Sequence, residues 1–216
     1  MKSKISIYKK EIFLYHRYDH FLNNEIAKRL IDHLEYIKIK PRIIIGFFIS
    51  HNTEKNIKSL YKNVYLINIF RKNKYIFLKK KNKKILLDDS ADISLLDFSF
   101  NWHDDFSFIV NNIYRVSKNK SIFLFSNIKS IKINNYFIYN VLSDNYKMTD
   151  LLSKNGYSNV VLDSHKLNIK YISYKRFFSD FLSAGIFTLG DIFLQKISLP
   201  ISIEIDLNFG YANILK

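Results

Sequence analysis

The stretch from Asp92 to Ser126 constrains the fold more than any other part of the chain. It contains a short apolar run, an aromatic and acidic turn, a segment with helical spacing, a polar break and a second apolar run. Apolar residues of the helical segment recur at the intervals of one helix face, namely Phe106, Ile109, Val110 and Ile113. The order predicts a strand, a helix and a strand, a unit that normally has parallel strands and a right-handed crossover.

The rest of the chain continues this alternation of helices and strands. Residues 20 to 38 carry a helical stripe of apolar side chains that Pro41 ends, and a weaker helix is expected near residues 53 to 62. The last strand alternates apolar and polar residues, which suggests an antiparallel strand on the edge side of the sheet. Residues 127 to 139 look irregular or weakly extended. Strands are predicted near residues 43–48, 64–70, 85–87, 93–98, 121–126, 160–171 and 201–209.

The predicted fold class is therefore α/β, with a mostly parallel seven-stranded sheet whose last strand is antiparallel. At 216 residues, of which 48% are hydrophobic, the chain has enough apolar material for one sizeable core. No internal repeat divides it, so we expect a single domain.

The composition argues against several classes of protein. The chain has no Cys, which excludes disulfides and thiolate metal sites, and its six His residues lack paired metal-ligand spacing. No uncharged apolar run reaches the roughly 18 residues of a membrane helix, and the N-terminus has no apolar block typical of a signal peptide. We therefore expect a soluble, cytoplasmic protein with no metal and no membrane span.

The net charge of +15 would ordinarily suggest a nucleic acid or an anionic surface as a partner. The basic residues are spread along the chain, however, and the tightest cluster, Lys79 to Lys84, falls in a predicted loop. Lys, Asn, Ile, Phe and Tyr are abundant while Gly, Pro and Ala are scarce, which is typical of an AT-rich genome. We predict no specific nucleic-acid binding, only a non-specific attraction that fades with salt.

The central stretch also resembles a known family. In class I S-adenosylmethionine-dependent methyltransferases an Asp opens the fourth strand, and a turn containing Trp and Asp leads to a helix ending in Arg-Val-Leu-Lys. The residues that match this pattern in register are Asp92, Trp102, Asp105, Arg115, Val116 and Lys118. The similar branches are the malonyl-carrier-protein O-methyltransferases of biotin synthesis and the methyltransferase-like complex I assembly factors. The resemblance spans nearly the whole chain.

This resemblance implies a Rossmann-like methyltransferase sandwich over residues 1–216. Residues 1–40 would form an N-terminal helical extension, residues 41–126 the cofactor half of the sheet, and residues 127–216 the substrate half. It also implies S-adenosylmethionine as the cofactor and a protein or carrier protein as the substrate.

The residues expected at the cofactor site depart from the family pattern. In the family the first strand carries an acidic residue and a glycine-rich loop, because the cofactor lies against backbone that a Cβ would block. Here Ile44 replaces the acid, only Gly46 remains of the glycines, and the remaining positions are occupied by Phe48, Ile49 and Ser50. Asn68 stands where the family has the acid that binds the ribose. We therefore predict that cofactor affinity is weak or absent.

Four further residues are candidates for the same site. Asp88 or Asp89 stands near the position of the acid beside the adenine amino group, although a solvated turn explains them equally well. Trp102 either walls the pocket or anchors its turn onto the sheet. Asp97, the catalytic candidate, closes the fourth strand beside the expected methyl position, where a carboxylate could accept a proton or hold a cationic substrate. A surface Asp that flanks the helix explains it equally well. We expect these side chains at the carboxyl edge of the sheet, where ligands of such sheets bind.

Three functions remain open at this point. The chain could be an active methyltransferase with a divergent cofactor site, or a non-catalytic binding or assembly factor, for example in respiratory complex maturation. It could also be a nucleic-acid-associated protein that uses its positive charge. The loss of the glycine-rich loop favours the second function over the first. The family resemblance nevertheless makes a methyltransferase-family protein with a degraded cofactor loop and weak activity the leading prediction, with the binding or assembly factor as the alternative.

Overall fold

The computed structural model describes residues 21–47, 49–69, 88–97, 106–134, 136–139, 145–183 and 198–216. The helices of this part are α1 (Phe21–Ile37), α2 (His51–Leu60), α3 (Phe106–Val116), α4 (Asn145–Lys154) and α5 (Tyr174–Ser183). The strands are β1 (Ile43–Phe47), β2 (Tyr65–Ile69), β3 (Ala91–Leu96), β4 (Ser117–Ile133), β5 (Tyr136–Tyr139), β6 (Tyr157–Tyr171) and β7 (Ile201–Ile214).

All seven described strands belong to one sheet, in the order β2-β1-β3-β4-β7-β6, with β5 paired to β4 outside this order. β1 pairs in parallel with β2 and β3, and β3 pairs in parallel with β4. β7 is antiparallel to both of its neighbours, β4 and β6. Five of these strands therefore run in one direction, and the predicted α/β class, with a mostly parallel sheet and an antiparallel last strand, is confirmed.

The central strand-helix-strand unit is confirmed as well. β3 and β4 are parallel, with Ile93 beside Ile122, and α3 connects them. The predicted apolar face of α3 is its buried face: Ile109, Val110 and Ile113 are all at most 4% exposed. Burial of this stripe against the sheet, rather than helix propensity, holds α3 in place.

One prediction about the second half of the sheet is wrong. β7 lies between β4 and β6 and not on the edge side, because its alternation comes from one face packing on helices, and strands pair with both of its edges. The segment expected to be irregular or weakly extended is extended: it continues β4 as far as Ile133 and then forms β5, because β7 pairs with β4 along this whole length. The strand expected at residues 85–87 lies outside the described residues.

The helices cover both faces of the sheet. α1, α2 and α5 pack on what we call the first face, with Leu30, Ile57 and Phe177 in its apolar cluster. α3 and α4 pack on the second face, with Val110 and Leu152 in its cluster. None of the helices in the described ranges combines the length and apolar character needed to cross a bilayer.

Asp92 joins three strands at the amino edge of the sheet. Its Oδ2 atom accepts the backbone N–H groups of Arg42 and Ile43, each at 2.8 Å, and its Oδ1 atom pairs with Lys118 Nζ at 2.5 Å. Partial burial opposes ionisation of Asp92, but the hydrogen bonds from Lys118, Ile43 and Arg42 outweigh it, and the pKa of Asp92 falls below its usual value.

This lowered pKa predicts an acid-sensitive contribution to stability. An unfolded Asp has a pKa of about 3.9. The stabilisation by the Asp92 carboxylate is therefore present above about pH 4 and is lost as the pH falls through the lower folded pKa. We expect Asp92→Asn to lower the free energy of unfolding by about 1 to 2 kcal/mol at pH 7 and by much less near pH 2.

Urea unfolding at the two pH values measures this difference. Asp150→Asn, which removes an exposed carboxylate of α4, is the matched control. An effect of Asp92→Asn that is equal at both pH values would contradict the assigned role of the Asp92 charge.

Candidate functional site

Three of the sequence-predicted site residues meet at the carboxyl edge of the sheet. Gly46 of β1 is the register partner of Asn68 on β2 and of Leu95 on β3. Asp97 follows directly after β3. In an open parallel sheet this edge is where ligands bind, so its geometry decides which ligand the chain can take.

The space beside Gly46 is filled by the chain itself. A Cβ atom placed on Gly46 would lie 2.5 Å from Cδ1 and 2.7 Å from Cγ1 of Ile49. The Ile49 side chain is fully buried and belongs to the apolar cluster of the first face. The missing side chain of Gly46 therefore admits Ile49 rather than leaving backbone open to a ligand.

The N-terminus of α2 is closed in the same way. Ser50 is the N-cap residue, and its side chain accepts the Thr53 N–H at 3.2 Å. Oδ2 of Asp97 accepts the Ser50 N–H at 2.6 Å and the Thr53 hydroxyl at 3.2 Å. The Asp97 side chain is fully buried. A negative charge is stabilised at a helix N-terminus, so the chain places its own carboxylate where an anion would otherwise bind.

Asn68 ties the end of β2 to the start of α2. Its side-chain nitrogen donates to the Ile49 carbonyl and to Oε2 of Glu54, both at 3.2 Å. Burial opposes ionisation of Glu54, but hydrogen bonds from Lys58 and Asn68 and the neighbouring positive charges outweigh it and lower the Glu54 pKa. The side-chain amide of Asn68, predicted to stand in for the acid that binds the ribose, therefore already donates to other groups of the protein.

Asp88 and Asp89 lie at the opposite edge of the sheet. They precede β3, where Asp88 forms an ion pair with Arg115 at the end of α3, and Asp89 pairs with Lys216. The expectation that they share an edge with Gly46 is wrong, because residues before a parallel strand lie at its amino end. Trp102 lies outside the described residues.

The sequence interpretation did not give Ser50, Thr53 and Glu54 their role of holding this edge together. A signal was present, since a Ser before a helical segment with an acid in its first turn indicates a helix N-terminus. It also missed that two consecutive polar residues of β4, Ser126 and Asn127, are fully buried. In the ranges that the structure describes, no group of three or more His, Asp or Glu side chains could hold a metal ion.

Comparisons with known proteins add to this picture. No protein-family model matches the chain, and no curated protein sequence matches it. Among solved structures, the chain is similar to phosphoethanolamine N-methyltransferase 2 of Haemonchus contortus in complex with phosphomonomethylethanolamine and S-adenosylhomocysteine. That match has a TM-score of 0.56 and 12% identity, and it covers 95% of this chain and 57% of that one. The chain therefore spans little more than half of that protein's length.

Two further structures match over nearly their whole length. The YcgJ protein of Bacillus subtilis has a TM-score of 0.55 and 11% identity, with 87% of this chain and 98% of that one covered. A SAM-dependent methyltransferase of Archaeoglobus fulgidus has a TM-score of 0.52 and 11% identity, with 88% and 94% covered. These likenesses show that the chain has the fold of class I methyltransferases.

S-adenosylmethionine is the cofactor that this fold implies, and the described carboxyl edge does not fit it. Ile49 occupies the space beside Gly46, and the Asp97 carboxylate occupies the N-terminus of α2. The Ser50 N–H and the Thr53 hydroxyl already donate to Asp97, so these two donors at the helix end are not available to the carboxylate of the cofactor.

Proposed function

We propose that this protein uses the methyltransferase fold mainly as a binding or assembly factor, with at most weak affinity for S-adenosylmethionine and weak methyltransferase activity. The observation that carries the proposal is the packing of the Ile49 side chain into the space beside Gly46. The methyltransferase-like complex I assembly factors, which the sequence resembles, are the model for such a role. A protein partner fits this role better than a small methyl acceptor.

A second candidate is an active methyltransferase that has rebuilt its cofactor site from other residues. One observation favours it. The Oδ1 atom of Asn68 is buried and accepts no hydrogen bond within the described part of the chain. This oxygen could accept a hydrogen bond from a ribose hydroxyl at the end of β2.

Calorimetric titration of the full chain with S-adenosylmethionine and S-adenosylhomocysteine distinguishes the two candidates. An Asn in place of the ribose acid removes a charge-assisted hydrogen bond, typically about 1.5 to 3 kcal/mol, or one to two decades of affinity. Because the Ile49 side chain also fills the space beside Gly46, we expect dissociation constants near the millimolar range or no measurable heat.

The variant Asn68→Leu provides the control for this titration. In the binding-factor proposal it leaves the weak or absent heat unchanged. Micromolar binding by the wild-type chain that Asn68→Leu weakens at least about tenfold would favour the active methyltransferase instead.

A further inference from the structure

The amino edge of the sheet brings together basic residues that are far apart in the sequence. This edge is formed by the ends of six segments, residues 38–42, 61–64, 88–92, 115–120, 154–156 and 213–216. The segments contain nine Lys and Arg residues and three Asp residues. Along the sequence these basic residues look dispersed, and it is the pairing of the strands that places them on one surface.

Five of the basic side chains are exposed and form no ion pair within the described residues. The three acids of the edge already have partners there, namely Asp88 with Arg115, Asp89 with Lys216, and Asp92 with Lys118. The five exposed and unpaired basic residues, which we call the basic edge, are Lys38, Lys40, Arg42, Lys62 and Lys120.

Local structure does not explain the charges of the basic edge. A cation at the end of a helix offsets the helix dipole, which accounts for Lys38 directly after α1. The other four lie beyond the last turn of the preceding helix, where this effect has faded. Of the nearby acids, Asp150 pairs with Lys154, and Glu35 in the last turn of α1 offsets only one of the five charges. Like charges on one surface repel one another, so this arrangement favours an anionic partner.

Two large apolar side chains are exposed beside the basic edge. Tyr65, the first residue of β2, is 77% exposed, and its N–H donates to the Arg42 carbonyl at 2.9 Å. Leu215 is 51% exposed, and the backbone N–H that follows it donates to the Asn119 side chain at 3.0 Å. Positive charge and exposed apolar surface therefore occur together at this edge.

We propose that the basic edge, together with Tyr65 and Leu215, is a docking surface for an anionic lipid membrane. Lys62 and Lys120 lie near the starts of β2 and β4, three strand spacings or about 14 Å apart, so the charges face an extended surface rather than a single phosphate. Basic residues are attracted to anionic headgroups, and Tyr side chains are typical of the membrane–water interface. Stable attachment requires apolar contact as well as charge.

The composition of the basic edge favours a membrane over a nucleic acid. Four of its five cations are Lys, whereas Arg is the residue best suited to recognise a phosphate through two parallel hydrogen bonds. Leu215 offers an apolar chain to a membrane but no ring on which a base could stack.

This inference goes beyond the proposed function and does not rest on it. The basic edge lies at the amino ends of the parallel strands, whereas Gly46, Asn68 and Asp97 lie at the carboxyl ends. The cofactor titration and a test of membrane binding therefore fail or succeed independently. A chain attached through its amino edge keeps its carboxyl edge free for a partner.

Cosedimentation of the full chain with lipid vesicles tests the proposal. Phosphatidylcholine vesicles with about 30% phosphatidylserine provide the anionic surface, and pure phosphatidylcholine vesicles provide the neutral one, at about 0.1 M salt. We expect binding to the anionic vesicles only. The double variant Lys62→Gln/Lys120→Gln should weaken this binding at least about tenfold, because each basic residue near the surface contributes about fivefold. Leu215→Ser should weaken it at least about twofold.

Two lysines at the opposite edge provide the matched control. Lys170 ends β6 and Lys175 begins α5, and both are exposed. Lys170→Gln/Lys175→Gln removes the same charge and should leave vesicle binding within about twofold of the wild-type chain. Acetylation of the wild-type chain, read by mass spectrometry, needs no variant. Anionic vesicles should protect Lys62 and Lys120 and leave Lys170 and Lys175 reactive.

Several results would overturn the proposal. Equal losses in the two double variants, or equal protection of the four lysines, would mean that the net charge of the whole chain drives binding. Absence of binding to the anionic vesicles would also rule out the docking surface. A single-stranded RNA that releases the chain from the vesicles at equal phosphate concentration, and whose own binding is weakened by Lys62→Gln/Lys120→Gln, would assign the basic edge to nucleic acid instead.

Discussion

Replacing Asp97 by Ala is expected to lower the free energy of unfolding by about 3 kcal/mol. The change leaves the buried Ser50 N–H and Thr53 hydroxyl without their acceptor, and each such loss typically costs about 1 to 3 kcal/mol. It also removes a charge that favours the N-terminus of α2. Relief from burying a carboxylate offsets part of this loss.

Chemical unfolding of a graded set of variants measures the effect. Asp97→Asn keeps an acceptor oxygen but loses the charge, so its free energy of unfolding should lie between those of the wild-type chain and Asp97→Ala. Asp150→Ala removes an exposed carboxylate of α4 and should change stability by less than about 0.5 kcal/mol. Unchanged stability in Asp97→Ala, together with loss of a methyl transfer activity, would restore the sequence prediction that Asp97 is catalytic.

Asp97 is one of several groups that close the carboxyl edge of the sheet on the first face. α1 begins beside the start of α2, where Asn52 donates to the Asn24 side chain at 2.5 Å. Leu22 and Ile26 of α1 lie in the same apolar cluster as Ile49. A helix, a buried Ile and a buried carboxylate thus close this part of the carboxyl edge, where open parallel sheets bind their ligands. This closure is the physical basis for proposing a binding role over an efficient enzyme.

Local patterns predicted the elements of the fold well. The spacing of Ile109, Val110 and Ile113 predicted α3, because one helical face must be apolar to pack on a sheet. Short, continuous apolar runs predicted β1 and β3, because strands in the core of a sheet must also be apolar to pack. What local patterns could not supply is pairing. Alternation in β7 is the same for an edge strand and for a central strand with one polar face, so its place between β4 and β6 depends on distant residues.

The location of the candidate site was also predicted only in part. Gly46 and Asn68 are each the last residue but one of a parallel strand, and Asp97 directly follows one, so the rule that ligands bind at carboxyl ends placed all three at the correct edge. The direction of the Asp97 side chain depends on Ser50, which is 47 positions away. Asp88 was assigned to the carboxyl edge because it follows the strand expected at residues 85–87. It also precedes β3, and this places it at the amino edge of the sheet.

The final expected result concerns the shared space of Gly46 and Ile49. Ile49→Ala should lower the free energy of unfolding by about 2 to 4 kcal/mol, because Ile49 is fully buried. Gly46→Ala should lower it by about 1 to 3 kcal/mol, because the new Cβ overlaps the Ile49 side chain. In the double variant the Cβ of the new Ala side chain at position 46 enters the space that Ile49 has vacated. The loss of unfolding free energy in the double variant should therefore be at least about 1 kcal/mol smaller than the sum of the two single losses.

Urea unfolding of the four proteins closes this cycle, and Ile214 provides the control. Ile214 is equally buried but lies on β7, three strands away from β1, and belongs to the cluster of the second face, so Ile214→Ala and Gly46→Ala should be close to additive. Additive losses for Gly46 and Ile49 would mean that the two do not compete for one volume. Gly46 would then remain open to a ligand, and the main support for weak cofactor binding would be gone.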